Sequence, residues 1–135
     1  MKKAWPLSQW VDSPARTECD ATTGRRFRVL TGGMGNNRHI YFNRANFTHD
    51  GRYAIILSDR TGSWQIYAYD LQVERLRRLT DTALDPGRPS IDPCRPLLYY
   101  TQGNVVHRLH LETLENTVIY AHPIPEGGSF LLLDI

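Results

Sequence analysis

The feature that most constrains this chain is a repeat with a period of about 43 residues. Residues 48–58 (THDGRYAIILS) and 91–101 (IDPCRPLLYYT) each contain a polar turn, an arginine, an apolar run and a hydroxyl residue, with Arg52 and Arg95 at equivalent positions. A second pair of similar segments follows, at residues 65–71 (QIYAYDL) and 106–112 (VHRLHLE). A period of this length with several short strands is typical of one blade of a β-propeller. The repeat therefore predicts an all-β propeller.

The apolar pattern argues against helical repeats of similar length. A helical repeat requires apolar residues at positions i, i+3 and i+4 over ten or more residues, and no such stretch occurs. The apolar runs are short, rich in Ile, Val, Leu and Tyr, and bounded by Gly, Pro, Asp and Asn, which is typical of strands. Turn signals at residues 50–51, 61–62 and 102–104 lie where hairpins should turn.

The pattern divides the chain, 1–135, into parts of one propeller domain. Blade one is predicted over residues 38–80 and blade two over residues 88–121. Residues 22–31 copy the end of an outer strand, so residues 15–31 are predicted to form an N-terminal hairpin or ring-closing strand. Residues 128–135 look like the start of a third blade. The predicted strands cover residues 40–47, 53–58, 64–71 and 75–79 in blade one, and residues 88–91, 97–101, 105–111 and 116–121 in blade two.

Two blades and a strand do not make a closed ring. A repeat stack needs about three units before its core is continuous. A ring of four to eight blades of this size requires roughly 170 to 340 residues. The 135 residues are therefore expected to be a fragment of a longer ring, whose missing blades cover the exposed sheets, or to assemble with other copies.

Composition narrows the partners and the compartment. The chain contains sixteen Lys and Arg residues and fourteen Asp and Glu residues, which gives a net charge of +2. Because the basic residues form no continuous stripe, no nucleic-acid partner is expected. Cys19 and Cys94 match no metal or redox spacing and are expected to be reduced, which favours a cytoplasmic protein. No apolar segment suits a signal peptide or a bilayer span, so no membrane association is expected.

Three residues are candidates for ligand binding. In a propeller blade, the loop before the inner strand and the loop between the second and third strands lie on one face. This places Arg38, His39 and Arg60 there as a cationic cluster suited to carboxylate groups. The alternative is that Arg60 caps a turn beside Asp59 and that His39 is a rim residue. The five histidines lack ligand spacing and no nucleophile stands beside a base, so neither a metal site nor a catalytic residue is expected within this chain.

Several segments together resemble the start of the oligogalacturonate lyases, over nearly the whole chain. These are residues 37–42 (NRHIYF), 47–52 (FTHDGR), 64–71 (WQIYAYDL), 78–80 (RLT) and 108–115 (RLHLETLE). The Asp-Gly turn, the Ile-Tyr-x-x-Asp-Leu run and the Leu-Thr ending are shared with TolB-like and WD40-like propellers in general. The segment from His39 to Phe42 and the tryptophan before the third strand, Trp64, narrow the resemblance to the lyases.

The resemblance implies a cytoplasmic seven-bladed lyase that splits oligogalacturonides, short pectin fragments, by β-elimination with a divalent metal, often manganese. In that family the metal ligands and the catalytic base come from later blades, so they are expected beyond residue 135, and this chain alone is expected to be inactive. Arg38, His39 and Arg60 would contact the substrate. Two alternatives remain: a non-enzymatic TolB-like propeller that binds a protein or peptide, and the regulatory propeller of a prolyl-oligopeptidase-like enzyme.

Overall fold

A computed structural model describes residues 5–32, 35–40, 44–82 and 85–123. Within these ranges no helix is long and apolar enough to cross a membrane. The predicted start of a third blade, residues 128–135, lies outside the described residues. The strands are β1 (Trp10–Asp12), β2 (Arg16–Cys19), β3 (Arg26–Val29), β4 (Asn37–His39), β5 (Tyr53–Ser58), β6 (Gln65–Asp70), β7 (Arg75–Arg78), β8 (Ser90–Ile91), β9 (Leu97–Gln102), β10 (Val105–His110) and β11 (Asn116–Ala121).

Nine of the eleven strands form two antiparallel sheets that repeat one another, and β2 and β3 form a separate hairpin. From the outer to the inner edge, blade one has the order β1-β7-β6-β5-β4 and blade two the order β11-β10-β9-β8. Within each blade the four repeated strands have their neighbours in sequence as neighbours in the sheet, and β1 is added beside β7. Residues of β5 and β6 and of β9 and β10 are β-branched, aromatic or leucine at most positions, which suits a pleated sheet buried on both faces. The prediction of an all-β propeller built from about two blades is confirmed.

Blade one buries both of its faces. The face towards blade two, called the inner face, shares one apolar cluster with that blade, in which Ile55, Ile66 and Leu98 are fully buried. The opposite face, called the outer face, carries a second cluster that includes Tyr67, Tyr69 and Leu76. Each such side chain contributes roughly 1.5–3 kcal/mol when it is withdrawn from water. The shared cluster holds the blades together.

The hairpin of β2 and β3 packs on the outer face of blade one. Leu30, which follows β3, contacts the second cluster, and Arg28 donates a hydrogen bond to Glu74 at 2.5 Å. A hairpin therefore occupies most of the segment predicted at residues 15–31. Its role in closing a ring stays a prediction.

The turn of this hairpin recurs in both blades. Oδ1 of Asp20 accepts hydrogen bonds from the backbone N–H groups two and three residues later, and Asp70 does the same in blade one. In blade two the acceptor is Nδ1 of His110, again with the N–H groups two and three residues on. Asx-type turns of this kind satisfy backbone donors that the ladder leaves open.

The backbone of the three turns matches as well. The N–H of the residue four positions later donates to the carbonyl of the acceptor residue in every copy, at 2.8–2.9 Å. That residue has positive φ each time: Gly24 at 69°, Glu74 at 54° and Leu114 at 64°. Glycine is the residue that takes this conformation without strain. Because the turns are equivalent, β2 and β3 correspond to the third and fourth strands of a blade.

The inner strand of blade one differs from the prediction, which placed it at residues 40–47. Pairing with β5 is made by Asn37–His39, and then by a bridge between Phe47 and Ala54. His39 pairs with Ile56 and Phe47 with Ala54, so the register contains a bulge: seven residues of the chain, 40–46, separate two pairing positions that lie two residues apart on β5. The predicted strand is therefore wrong at Ile40 and at residues 44–46, while residues 41–43 lie outside the described residues.

Two side chains hold this bulge. Oδ1 of Asn46 accepts the N–H of Ile40 at 2.8 Å, which replaces a ladder bond. Arg44 donates to the carbonyl oxygens of Arg88 and Pro89 at 3.0 and 3.4 Å, at the beginning of blade two. Residues 41–43 are outside the described ranges. The bulge thus connects the two blades through main-chain acceptors.

A strand that the sequence did not indicate extends blade one. The chain before the hairpin runs along β7 as β1, and Trp10 stacks on Tyr53 with ring centroids 5.8 Å apart. The Arg77 guanidinium also lies over the indole, 4.1 Å from the ring centroid. Trp5 is buried on the outer face and meets Tyr67 edge-on. The outer edge of blade one is therefore covered.

Candidate functional site

The candidate residues lie at one end of the blades, called the top end. It comprises the start of β4 and the described residues of three connections: 59–64 between β5 and β6, 80–82 and 85–89 between β7 and β8, and 102–104 between β9 and β10. Asn37 at the start of β4 pairs with Ser58 at the end of β5. The loop before β4 is fixed there: the backbone N–H of Asn36 donates to Asp59 at 2.6 Å and its amide group donates at 2.8 Å. These two bonds lower the pKa of Asp59. The loop geometry at the top end is thereby fixed.

Arg38 lies on the inner face of blade one. Its Nη2 donates to both carboxylate oxygens of Asp85, at 2.9 and 3.2 Å. Its guanidinium stacks over the Trp64 ring, 4.2 Å from the centroid. The side chain is 44% exposed, so a ligand can approach it from solvent. Arg38 is thus oriented by one carboxylate and one aromatic ring, with its charge partly compensated.

Arg60 lies on the outer face. Its Nε donates to the hydroxyl of Ser58 at 2.9 Å and its Nη2 donates to Oδ1 of Asn37 at 2.7 Å. The guanidinium sits over the rings of Trp5 and Tyr67, at 4.6 and 5.0 Å. Cation–π contacts of this kind gain strength when the cation is partly desolvated. Arg60 therefore holds the N-terminal segment against blade one.

Burial perturbs this arginine and its aromatic neighbour. Desolvation lowers the pKa of Arg60, against the opposing effects of Tyr67 and Asp59. Desolvation also raises the pKa of Tyr67. An arginine remains charged at neutral pH, so Arg60 carries a half-buried positive charge that rests on aromatic faces and neutral acceptors.

His39 is exposed and lines a cavity of about 250 Å³ on the outer face. The cavity wall consists of Leu30, Thr31, Asn37, Arg38, His39, Asn46, Phe47, Ala54, Ile55 and Ile56. Five of these ten residues are apolar and five are polar or charged. The cavity separates the end of the N-terminal hairpin from the inner strands of blade one.

The structure brings the three candidates to one end of blade one but not into one cluster. The contacts of Arg38 are with Trp64 and Asp85 on the inner face, whereas those of Arg60 and the position of His39 are on the outer face. Alternation along β4 explains this, because neighbouring residues of a strand point to opposite faces. The role of the three residues in substrate contact stays a prediction.

Sequence reasoning missed two partners of the site. Asp85 lies 47 residues from Arg38, and Trp5 lies far from Arg60 in the chain, so no local pattern joined them. The signal available in the sequence was the presence of only three tryptophans among many arginines. In the structure, Trp5, Trp10 and Trp64 each lie against the guanidinium of one arginine.

The described part of the chain also bears on the binding of a metal ion. Within the described ranges, no group of three or more His, Cys, Asp and Glu side chains is placed to hold a metal ion. The residues described here thus do not fit a divalent-metal centre by themselves.

Comparisons with known proteins identify similar structures. No family model matches the chain, and no curated protein matches it. An oligogalacturonate lyase in complex with manganese is similar over 87% of this chain, with 26% identity and a TM-score of 0.77. The oligogalacturonate lyase of Vibrio parahaemolyticus has 22% identity and the same TM-score over the same share. A TolB-type protein of Agrobacterium tumefaciens has 21% identity and a TM-score of 0.55 over 77% of the chain.

The resemblance to oligogalacturonate lyase structures is confirmed. The chain spans about a third of the two lyase structures, 32% of each, and 40% of the TolB-type structure. The similarity therefore applies to one part of a propeller.

Proposed function

We propose that this chain is the N-terminal portion of a lyase that cleaves oligogalacturonides by metal-assisted β-elimination in the cytoplasm. The observation that carries the proposal is the likeness of 87% of the chain to an oligogalacturonate lyase at 26% identity. Cys19 and Cys94 are free and exposed, and a reducing compartment such as the cytoplasm would keep such thiols from oxidation.

The chemistry of such an elimination is balanced within the substrate. A base removes the proton at C5 of the uronate, the electron pair forms the C4–C5 double bond, and the C4–O4 bond breaks. The leaving oxygen takes a proton, so no oxidant or reductant is needed. The proton at C5 is acidic only if the neighbouring carboxylate is neutralised, which requires positive charge beside it.

Arg38 is the residue of this chain best suited to meet a uronate carboxylate. Its Nη2 is committed to Asp85, and the rest of its half-exposed guanidinium can donate to a second carboxylate. Asp85 and Trp64 fix the orientation of the donor, so less rotamer entropy is lost on binding. Because Asp85 compensates part of the charge, Arg38 serves binding and orientation.

The other two candidates have different parts in the proposal. His39 is exposed at the edge of the cavity and can exchange a hydrogen bond with a sugar hydroxyl. Arg60 is half-buried against Trp5 and Tyr67, so its contribution is the positive potential of the top end together with one remaining set of N–H donors.

The metal belongs to the longer protein in this proposal. One similar lyase is described as a complex with manganese, and a divalent cation bound beside the carboxylate would supply the neutralising charge. The described residues do not fit such a centre, so its ligands and the base would come from later blades. The isolated chain is expected to bind substrate weakly and to show no turnover.

A binding titration and an activity assay test the proposal together. We expect digalacturonate to shift the NMR signals of Arg38 and His39, and the uncharged disaccharide galactobiose to leave them unchanged. Arg38→Gln should weaken digalacturonate binding about tenfold, as expected for a charge-assisted bond, whereas Arg108→Gln, an exposed arginine in blade two, should not. The full-length protein with manganese should release an unsaturated product from digalacturonate. A manganese-loaded full-length protein inert on di- and trigalacturonate would sink the proposal.

The second candidate is a non-enzymatic TolB-like module that binds a protein or peptide. The likeness to a TolB-type structure over 77% of the chain favours it. It predicts that digalacturonate causes no shift at the top end and that the full-length protein has no lyase activity with any divalent metal. The same two experiments therefore separate the candidates.

A further inference from the structure

Asp85 occupies one nitrogen atom of the Arg38 guanidinium. Nη2 of Arg38 donates to Oδ2 of Asp85 at 2.9 Å and to Oδ1 at 3.2 Å. Among the described residues, no acceptor binds Nε or Nη1 of this arginine. The Arg38 and Asp85 side chains are 44% and 48% exposed, so a ligand in solvent can reach the pair. What such a ligand can bind depends on which donors Asp85 leaves open.

Nη2 is the nitrogen that a guanidinium needs for a two-point contact. An arginine binds a carboxylate bidentately through two parallel N–H groups, on the end edge formed by Nη1 and Nη2 or on the side edge formed by Nε and Nη2. Both edges include Nη2. Because Asp85 takes the donors of Nη2, a second carboxylate has access only to the separate donors Nε and Nη1 of Arg38. It therefore receives single hydrogen bonds, from a cation whose charge is partly compensated.

The chain between the blades holds Asp85 in this position. Its Oδ1 accepts the backbone N–H of Gly87 at 2.9 Å. Gly87 has a φ of 72°, and the hydroxyl oxygen of Thr101 in blade two lies 2.6 Å from where its Cβ would be. On the other side, Trp64 lies against the Arg38 guanidinium, 4.2 Å from the ring centroid. Both members of the pair are thus fixed, and a ligand has to compete with Asp85 for Nη2.

We propose that Asp85 is a specificity-determining residue of the uronate site, which restricts Arg38 to single hydrogen bonds with a carboxylate. The inference rests on the proposed function, in which Arg38 meets the uronate carboxylate. Both products of the elimination keep a carboxylate group, so a bidentate contact would hold products as firmly as substrate and would not speed the reaction. With single bonds, one uronate unit is held weakly, and a ligand has to make further contacts elsewhere. Asp85 thus favours oligomers over monomers and permits product release.

The test compares Asp85→Asn with the parent 135-residue chain. Asparagine keeps Oδ1 as the acceptor for Gly87 and removes both the negative charge and the second acceptor. Nη2 is then free for the ligand. We expect galacturonate and digalacturonate to bind about tenfold more tightly, the effect of one further hydrogen bond between charged groups. The Nε–H signal of Arg38 in a proton–nitrogen NMR titration reports binding at the guanidinium itself. Galactobiose, which has no carboxylate, should bind no more tightly.

Three further variants separate this role from general electrostatics and from folding. Asp81→Asn removes a charge from the same connection, but its carboxylate bonds Arg78, so affinity should change less than twofold. In an Arg38→Gln background, Asp85→Asn should also change affinity less than twofold, because the nitrogen that it frees is absent. Asp85→Ser, whose hydroxyl can accept the N–H of Gly87, should reproduce the gain and replaces the asparagine variant if that variant does not fold.

The role of Asp85 and the proposed function fail in different ways. Binding of galacturonate by Asp85→Asn that is no tighter than binding by the parent would overturn the inference, and so would a gain of equal size without Arg38. Acetate, a carboxylate without a sugar, is the second probe. Tighter acetate binding by Asp85→Asn at Arg38 supports the inference even if digalacturonate is not a ligand, whereas a full-length, manganese-loaded protein without activity contradicts the proposed function alone.

Discussion

The two blades share their strand order but differ at their outer edges. In blade one the outer strand is covered by β1, and Leu76 at its centre is completely buried. In blade two the outer strand, β11, has no strand beyond it among the described residues, and Val118, Ile119 and Tyr120 remain 46–57% exposed. The same repeat thus produces one edge that is part of a core and one edge that is surface.

The comparison shows that the repeated residues determine the strand order of each sheet, whereas residues outside the repeat determine how well its outer edge is covered. Blade one gains an aromatic and arginine stack from the N-terminal segment, through Trp5 and Trp10. It also contains a buried polar group, Gln65, where blade two has Val105. Each of these differences is expected to contribute to the free energy of unfolding by an amount that substitutions can measure.

The largest effect is expected from truncation of the covered outer strand. Leu76→Ala removes a fully buried side chain and should lower the free energy of unfolding by about 3 kcal/mol. Ile119→Ala, on the open outer strand, should change it by no more than about 0.5 kcal/mol. Urea denaturation of both variants measures the contrast. Equal losses would show that the open edge of blade two is covered in solution.

The next effect concerns the buried amide of blade one. Gln65 donates to Ser63 and to the carbonyl of Thr82, and accepts from the hydroxyl of Thr80 and the N–H of Thr82, at 2.8–3.0 Å. Gln65→Leu leaves these groups buried without their partner and should destabilise by about 2 kcal/mol.

The matched change in blade two is Val105→Ala, at the equivalent and half-buried position. It removes only apolar contacts and should destabilise by less than about 1 kcal/mol. If Gln65→Leu left the free energy of unfolding unchanged, the hydrogen bonds of this amide would contribute nothing to the stability of the segment that connects the blades.

A smaller and pH-dependent effect is expected at Asp70. Burial alone would raise its pKa, but hydrogen bonds from Arg52 and from the backbone N–H groups of Gln72 and Val73 outweigh burial and lower it. A carboxylate whose pKa is lowered in the folded state stabilises the protein above its unfolded pKa, and this contribution is lost as the pH falls through the folded value.

Asp70→Asn keeps the turn acceptor and removes the ion pair with Arg52. Because the arginine is partly exposed, we expect a loss of about 1 kcal/mol at pH 7. The difference between the variant and the parent should shrink below about pH 4. Urea denaturation at pH 7 and at pH 3 tests this, and a difference that does not depend on pH would contradict it.

The smallest effect concerns the equivalent turn of blade two. Nδ1 of His110 accepts the two N–H groups at 3.2–3.3 Å, longer than the 2.7–2.9 Å at Asp20. His110→Asp supplies the acceptor found in the other two turns and should stabilise by roughly 0.5 kcal/mol. His110→Leu removes the acceptor and should destabilise by a similar amount. Thermal unfolding of the two variants and the parent measures these changes. An unchanged stability of His110→Leu would show that the two hydrogen bonds to His110 are dispensable.

The middle strands were predictable because their signal is local. Residues 53–58 and 97–101 were predicted as strands from apolar runs between turn residues, and β5 and β9 lie there. Equal spacing of the runs then predicted two similar sheets. A sheet buried on both faces requires such runs, so the pattern and the structure follow from the same cause.

The inner strand and β1 could not be predicted in the same way. The bulge at residues 40–46 depends on Asn46 accepting the N–H of Ile40, a contact between side chain and backbone that apolar spacing does not reveal. The strand β1 depends on Trp10 fitting between Tyr53 and Arg77, which are more than forty residues away. For the site, Arg38 and His39 were correctly placed at the top end, but they were expected in the loop before the inner strand. They lie on β4, whose alternation separates the two side chains.

The bulge of blade one has a geometric consequence. Arg44 donates hydrogen bonds to the carbonyl groups of Arg88 and Pro89, where the next sheet starts. Just before them, Gly87 has a φ of 72°, and a Cβ atom at this position would lie 2.6 Å from the hydroxyl of Thr101. Rotation of one sheet against the other would break the contacts of Arg44, and the close approach of Thr101 leaves no room for a side chain at residue 87. Together with the apolar cluster that the blades share, these contacts limit the angle between consecutive sheets. They act like a stop on a hinge, which holds one sector of the molecule at a defined inclination to the next.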